Sequence, residues 1–144
     1  MKNFSLTRFE RVKKKNDFEK VYSSAKVLFS SDLLIKSLYT IDQENQFVGI
    51  KIAAAVSKKA GKAVWRNRFK RLIKESYRLN KQSLVSKTLQ KNIGLLIIFS
   101  PNRLSESKNK IISFSEISIG VVELIKKIEQ KIWQVIFEQK NFNK

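Results

Sequence analysis

FVGIKIAAAVSKKAGKAVWRNRFKRLIKESYRLN, residues 47–80, is the stretch on which the fold turns. Residues 47–57 run or alternate apolar, which predicts a strand, placed centrally in its sheet. Residues 62–80 predict a helix, reached through a short junction that contains Gly61. Set the helix on a wheel at about 100° per residue with Arg66 at zero. Lys70 then falls at about 40°, Lys74 at about 80°, Asn67 at about 100°, Arg78 at about 120° and Arg71 at about 140°. Trp65, Phe69, Leu72 and Ile73 collect on the other side, centred at about −75°. One face is basic and the other is a core face. Arg68, at about −160°, lies off the basic stripe.

Residues 58–81 hold ten Lys or Arg against the single acid Glu75, half of the chain's net charge of +18. A solvated helix face normally mixes signs, because like charges four apart repel by a few tenths of a kcal/mol. Here Arg66, Lys70 and Lys74 repeat that spacing without an intervening acid on the stripe. Phosphates would neutralise such a face, and Asn67 adds a neutral donor and acceptor for a sugar or a base edge. Lys58, Lys59 and Lys62 precede the helix, where unpaired backbone N–H groups attract anions. That junction reads either as a phosphate site or as an ordinary tight connection.

Working outward, residues 16–23 predict a short helix carrying Phe18, Val21 and Tyr22, with Asn16 as its N-cap and Glu19 three residues on. Strand-like runs follow at 26–29 and 33–41, then a polar turn at 42–45. IGLLIIFS, 93–100, predicts a buried strand ended by Pro101. Ser113 and Glu116 form a capping box before a long helix with Val121, Leu124, Ile125, Ile128, Ile132, Val135 and Ile136 at helical spacing. That stripe reads as core packing, since its polar side mixes Glu, Lys and Gln as a solvated face does. The order α-β-β-β-α-β-α predicts an α+β fold, a single-domain α/β sandwich with about four strands and three helices. Residues 1–144 are read as one nucleic-acid-binding domain, which the resemblance below makes RNA-binding, with 1–15 basic and loosely ordered and 139–144 a tail.

The 144 residues contain no Cys and no His. This excludes disulfides and thiolate metal sites, and removes the usual general base and the commonest transition-metal ligand. The acids are scattered, with Asp17 and Glu19 diverging on one helix, so no catalytic residue and no metal ligand is assigned on this chain. The opening residues carry no apolar run long enough for a signal peptide, and the longest apolar run is too short to span a bilayer. The expectation is a cytoplasmic protein with a nucleic-acid partner and no membrane. A DNA-reading helix-turn-helix would want a short helix before 62–80, and an apparent strand stands there instead, so no DNA partner is expected.

The run SKKAGKAVWRNRFKRLIK, 57–74, resembles the RNR signature of the bacterial ribonuclease P protein family. Residues 8–22, RFERVKKKNDFEKVY, are similar to that family's first helix region, and the element order agrees along 8–138. Phe69 and Lys74 depart from the family's usual smaller aliphatic and Arg, and 101–112 is poor in family landmarks. The resemblance implies a left-handed crossover around the signature helix. It implies a subunit of the ribonucleoprotein that removes the 5′ leader from precursor tRNA, in which the RNA subunit is the catalyst and uses Mg2+. It places Arg66, Asn67, Arg68, Lys70, Arg71 and Lys74 on the RNA subunit, while the charge pattern itself offers Lys58, Lys59, Lys62 and Arg78 as further phosphate contacts. It places Phe18 and Tyr22, with the strand residues Lys36 and Lys51, in the cleft for the single-stranded leader. From the residues alone, Phe18 and Tyr22 read first as sheet packing, and only the resemblance sets the cleft role level with it; Arg68 reads equally as a structural pair. A basic ribosomal protein is the alternative reading.

Overall fold

The computed structural model describes residues 10–12, 15–42 and 47–142. The elements are α1 (Lys15–Ser24), β1 (Lys26–Phe29), β2 (Ile35–Asp42), β3 (Gly49–Ala54), a 3-10 turn (Lys58–Ala60), α2 (Ala63–Asn80), α3 (Gln82–Lys91), β4 (Gly94–Pro101) and α4 (Phe114–Phe142). The sheet runs β1-β2-β4-β3, antiparallel except for the parallel β3/β4 pair. The fold is α+β, as expected, with four helices rather than three. The extra helix, α3, is short and polar, QSLVSKTLQK, and buries only Leu84 and Thr88. Two positions one turn apart are too faint a stripe to read as a helix in sequence. Asn92, left-handed at φ 56°, ends it and donates its N–H to the Leu89 and Thr88 carbonyls.

Two further expectations change. Residues 47–57 form an edge strand and not a central one: among the named strands, β3 pairs only with β4. Its other edge meets a single bridge, Arg11 to Ile52, with Val12 N–H donating to the Ile52 carbonyl at 2.8 Å. Its apolar character comes from helices on one face and α1 on the other, which an edge strand shares with a central one. Asn16 lies inside α1, which begins at Lys15, so it is not the cap. The turn expected at 43–45, most of the stretch 1–15 expected to be loosely ordered, and the tail residues 143–144 fall outside the described residues, as do the side chains of Val135 and Ile136.

Strand alternation sorts the core into two layers. Ile35, Tyr39, Ile50, Ile52, Leu95, Ile97 and Phe99 face α2, α3 and α4 in the larger cluster. Leu96, Ile98 and Ala53 face α1, with Val21 and the half-buried Phe18. Ser113 Oγ accepts from Glu116 N–H at 3.3 Å, so the capping box opens α4, whose Ile117, Val121, Leu124, Ile125, Ile128 and Ile132 are buried. Among the described residues no helix is long and apolar enough to cross a membrane.

The hand of the connection from β3 through α2 and α3 to β4 follows from the backbone. Gly49 N–H donates to the Ile93 carbonyl (3.0 Å) and Ala55 N–H to the Phe99 carbonyl (2.9 Å). Odd positions of β3 therefore turn their backbone polar groups toward β4. Ile50 and Ile52 send side chains toward the helices, and the Ile52 carbonyl points outward to Val12. For an L-residue viewed from its side chain with the chain running upward, N–H and C=O point right. Seen from the helices, β4 thus lies to the left of β3. A crossover passing in front and landing on the left is left-handed, against the strong general preference.

Candidate nucleic-acid interface

The wheel separates α2 as expected. Trp65, Phe69, Ile73 and Tyr77 are buried, and the Trp65 and Phe69 rings stack with centroids 6.2 Å apart. Full burial of each such side chain is worth about 1.5–3 kcal/mol, enough to fix the helix against the sheet. Asn67 and Arg71 are exposed, and Arg66, Lys70 and Lys74 are partly exposed along the same stripe. The Arg66 Nε donates to the Gly61 carbonyl at 3.1 Å, which steadies its stem near the helix start. Lys70 and Arg71 have no acidic partner among the described residues.

Lys74 shows what the stripe lacks. Its ammonium is held below the ordinary lysine value, first by partial burial, then by the charges of Arg11 and Lys70. Arg11 was not among the residues singled out in the sequence. It reaches the stripe because the Arg11–Val12 segment docks on the outer edge of β3, a long-range pairing with no local signal. Cations crowded this way favour an incoming anion.

At two places expected to take phosphate, an acid of this chain already stands. The Arg78 guanidinium is bound to the Glu75 carboxylate, with Nε at 3.2 Å, and that contact holds Glu75 below the usual carboxylate range. The two lie three apart on one helix, a favourable pairing that the stripe reading passed over. The α2 N-terminus is not open either. Glu106 accepts from Lys62 N–H at 2.8 Å, and its own N–H donates to the Ala60 carbonyl at 2.7 Å. A carboxylate from this chain therefore sits where an anion would bind the helix dipole. Gly61 is required there by closeness: a Cβ would stand 2.8 Å from Glu106 Cβ and 3.0 Å from the Trp65 ring. The side chains of Lys58, Lys59 and Lys62 remain exposed around this spot.

Arg68 reaches the loop that follows β4. Its Nε and Nη2 donate to the Ile112 carbonyl at 3.0 and 2.8 Å. Trp65 Nε1 likewise donates to the Asn109 carbonyl at 2.9 Å. The loop over 102–113, which offered little in sequence, is thus fastened to α2 at three points.

The four cleft residues share the α1 face of the sheet. Lys36 and Lys51 have the same strand parity as Leu38 and Ala53, which pack there. Phe18 is half-buried in that smaller core, whereas Tyr22 is 57 % exposed and free to stack. Lys51 lies 3.9 Å from the Asp17 carboxylate and 4.6 Å from the Phe47 ring centroid. The open alternative for Phe18 and Tyr22 therefore divides: Phe18 packs on the sheet and Tyr22 does not.

Acidic groups are dispersed and engaged: Asp17 with Lys51, Asp42 with Lys20, Glu10 with Lys81, Glu123 with Lys127, Glu129 with Lys87. Among the described residues no group of three acids could hold a metal.

The fold and charge define a class: a basic α+β fold whose most cationic helix lies in a left-handed βαβ crossover. The chain belongs to the ribonuclease P protein family, whose model, described as Ribonuclease P, matches residues 6–128. It is 39% identical to the ribonuclease P protein component of Clostridium kluyveri over 117 residues, covering 81% of this chain and 92% of that one. It is 32% identical to that of Clostridioides difficile over 127 residues, covering 88% and 98%. The ribonuclease P protein of Thermotoga maritima shares the fold, with TM-score 0.65 at 22% identity over 82% of this chain and 96% of that one. The Staphylococcus aureus protein gives TM-score 0.62 at 23% identity, covering 83% and 94%. The family match decides against the ribosomal-protein alternative.

Proposed function

We propose that this chain is the RNA-binding protein subunit of ribonuclease P, which assists removal of the 5′ leader from precursor tRNA in the cytoplasm. The observation that carries the reading is the α2 stripe, where Arg66, Asn67, Lys70, Arg71 and Lys74 face outward together with Arg11 beside them. That face takes the backbone of the catalytic RNA subunit. Arg66 and Arg71 offer planar multidentate donors, and Lys70 and Lys74 offer point charges. Arg68 holds the adjoining loop and does not spend its guanidinium on phosphate. On the opposite face of the sheet, Tyr22 stacks on an unpaired leader base while Lys36 and Lys51 follow its phosphates. Stacking of this kind contributes ~1–3 kcal/mol per base.

Catalysis belongs to the RNA subunit. Mg2+ acts there; among the described residues here no group of three acids could hold a metal. The chain's own part is to raise substrate affinity and to neutralise RNA charge, which lowers the Mg2+ that the RNA needs.

Reconstitution with the cognate ribonuclease P RNA tests this. The protein alone is expected to be inert, and to activate that RNA for leader cleavage at low Mg2+. RNA affinity is expected to fall steeply with salt. Five stripe cations, each displacing counterions with a slope of about 0.7–0.9, give about 3.5–4.5 in log K against log salt. A protein that left cleavage by its RNA unchanged would overturn the reading.

A further inference from the structure

The loop 102–113 does more than connect β4 to α4. Glu106 at Lys62, Asn109 at Trp65 and Ile112 at Arg68 fasten it along the side of α2. Held there, it turns Lys108, Lys110 and Ile111 outward. Ile111 is 83 % exposed, and Val64 on α2 is 82 % exposed. Neither lysine has an acidic partner among the described residues. The one acid on the loop, Glu106, is already turned to the start of α2.

The wheel places these features side by side. Val64 falls at about 160°, between Arg71 at about 140° and Arg68 at about 200°. Arg68 in turn reaches the loop at Ile112. The cationic surface of α2 therefore continues past Arg71, over Val64 and the stem of Arg68, onto the loop. Two branched apolar side chains left in water within a cationic rim match the sugar and base faces of a nucleic acid whose phosphates the lysines neutralise.

We infer that residues 108–111 form a second RNA-contacting ridge, continuous with α2, on which Lys108 and Lys110 take backbone phosphates and Ile111 with Val64 takes an unstacked nucleoside. This rests on the proposed function, and the occupant is the catalytic RNA subunit. The leader is excluded as occupant by position: Leu104 and Ile112 of this loop belong to the core on the helix side of the sheet, and the leader residues lie on the α1 side.

The test uses the full chain with Lys108→Ala and Lys110→Ala together, and separately Ile111→Ala. These side chains are exposed, so thermal melting is expected to match the unchanged protein. Binding to the cognate ribonuclease P RNA is measured across a salt series, and precursor-tRNA affinity is measured on the assembled holoenzyme. The double variant is expected to bind the RNA roughly tenfold more weakly, with a salt slope smaller by about 1.4–1.8. Ile111→Ala is expected to bind severalfold more weakly with an unchanged slope. Precursor-tRNA affinity of the holoenzyme is expected to stay the same. If the unchanged protein binds the RNA and the double variant matches it in affinity and slope, the ridge is overturned alone. If only precursor-tRNA affinity falls, the assigned occupant is wrong. If the unchanged protein does not bind the RNA, the proposed function and the ridge fall together.

Discussion

Arg68→Ala separates the part played by Arg68 from that of Arg71 within the signature run. The Arg68 guanidinium makes two hydrogen bonds to one carbonyl, Ile112, at 3.0 and 2.8 Å. A hydrogen bond from a charged donor contributes about 1.5–3 kcal/mol when both groups are dry. Here the arginine is exposed and the two bonds share an acceptor, so the loss is discounted to about 1–2 kcal/mol. For a domain of this size that lowers the melting temperature by roughly 3–8 °C. Calorimetric melting reads this directly. The loop stays fastened through Glu106 and Trp65, so RNA affinity is expected to fall only a few-fold, with the salt slope intact. Arg71→Ala is expected to do the reverse, leaving melting unchanged and reducing the slope by about 0.7–0.9. The reasoning fails if Arg68→Ala melts like the parent protein and loses slope as Arg71→Ala does.

The remaining predictions concern burial, closeness and charge. Tyr77 is fully buried, and its hydroxyl has no partner among the described residues, with burial pushing its ionisation up. Tyr77→Phe is therefore expected to stabilise the protein by about 1 kcal/mol in urea unfolding, and a loss of that size would show a hidden partner. Gly61→Ala forces its Cβ against Glu106 Cβ at 2.8 Å, and is expected to cost about 1–3 kcal/mol. Adding Glu106→Gly removes the obstructing carbon, so a double-mutant cycle is expected to show coupling; strict additivity would refute the close approach. Glu123 is held below its ordinary 4.5 by hydrogen bonds from the Ser31 hydroxyl and N–H, with Lys127 adding to them. Its contribution is complete above pH 4.5 and is lost as pH falls through the lower folded value. Glu123→Gln is thus expected to flatten that part of the acid-unfolding curve, and an unaltered acid limb would count against it.

The parts of this protein that could be read from sequence are those set by local period. Arg66, Lys70 and Lys74 opposite Trp65, Phe69 and Ile73 declare a two-faced helix, because the 3.6-residue repeat is carried by the chain itself. The Ser113 and Glu116 pair announces the start of α4 in the same way. The family signature lies within one continuous run, so it too is legible without the fold. The polar α3 is local but carries too faint a stripe to be read.

Other features depend on partners distant in the chain. The edge position of β3 depends on β4 and β2 pairing across the sheet, and an apolar edge strand covered on both faces reads like a central one. The left hand of the crossover depends on which side of β3 the later strand joins. Arg11 enters the basic face through a pairing with Ile52, and Arg68, beside that face, is engaged by the Ile112 carbonyl 44 residues away. The helix start that invited a phosphate is filled by Glu106 from the same loop. By itself the sequence determined the cationic helix, its core face and the chemistry it would seek. The tertiary structure decided which of those cations stay free, because only folding brings up the carbonyls and carboxylates that compete for them.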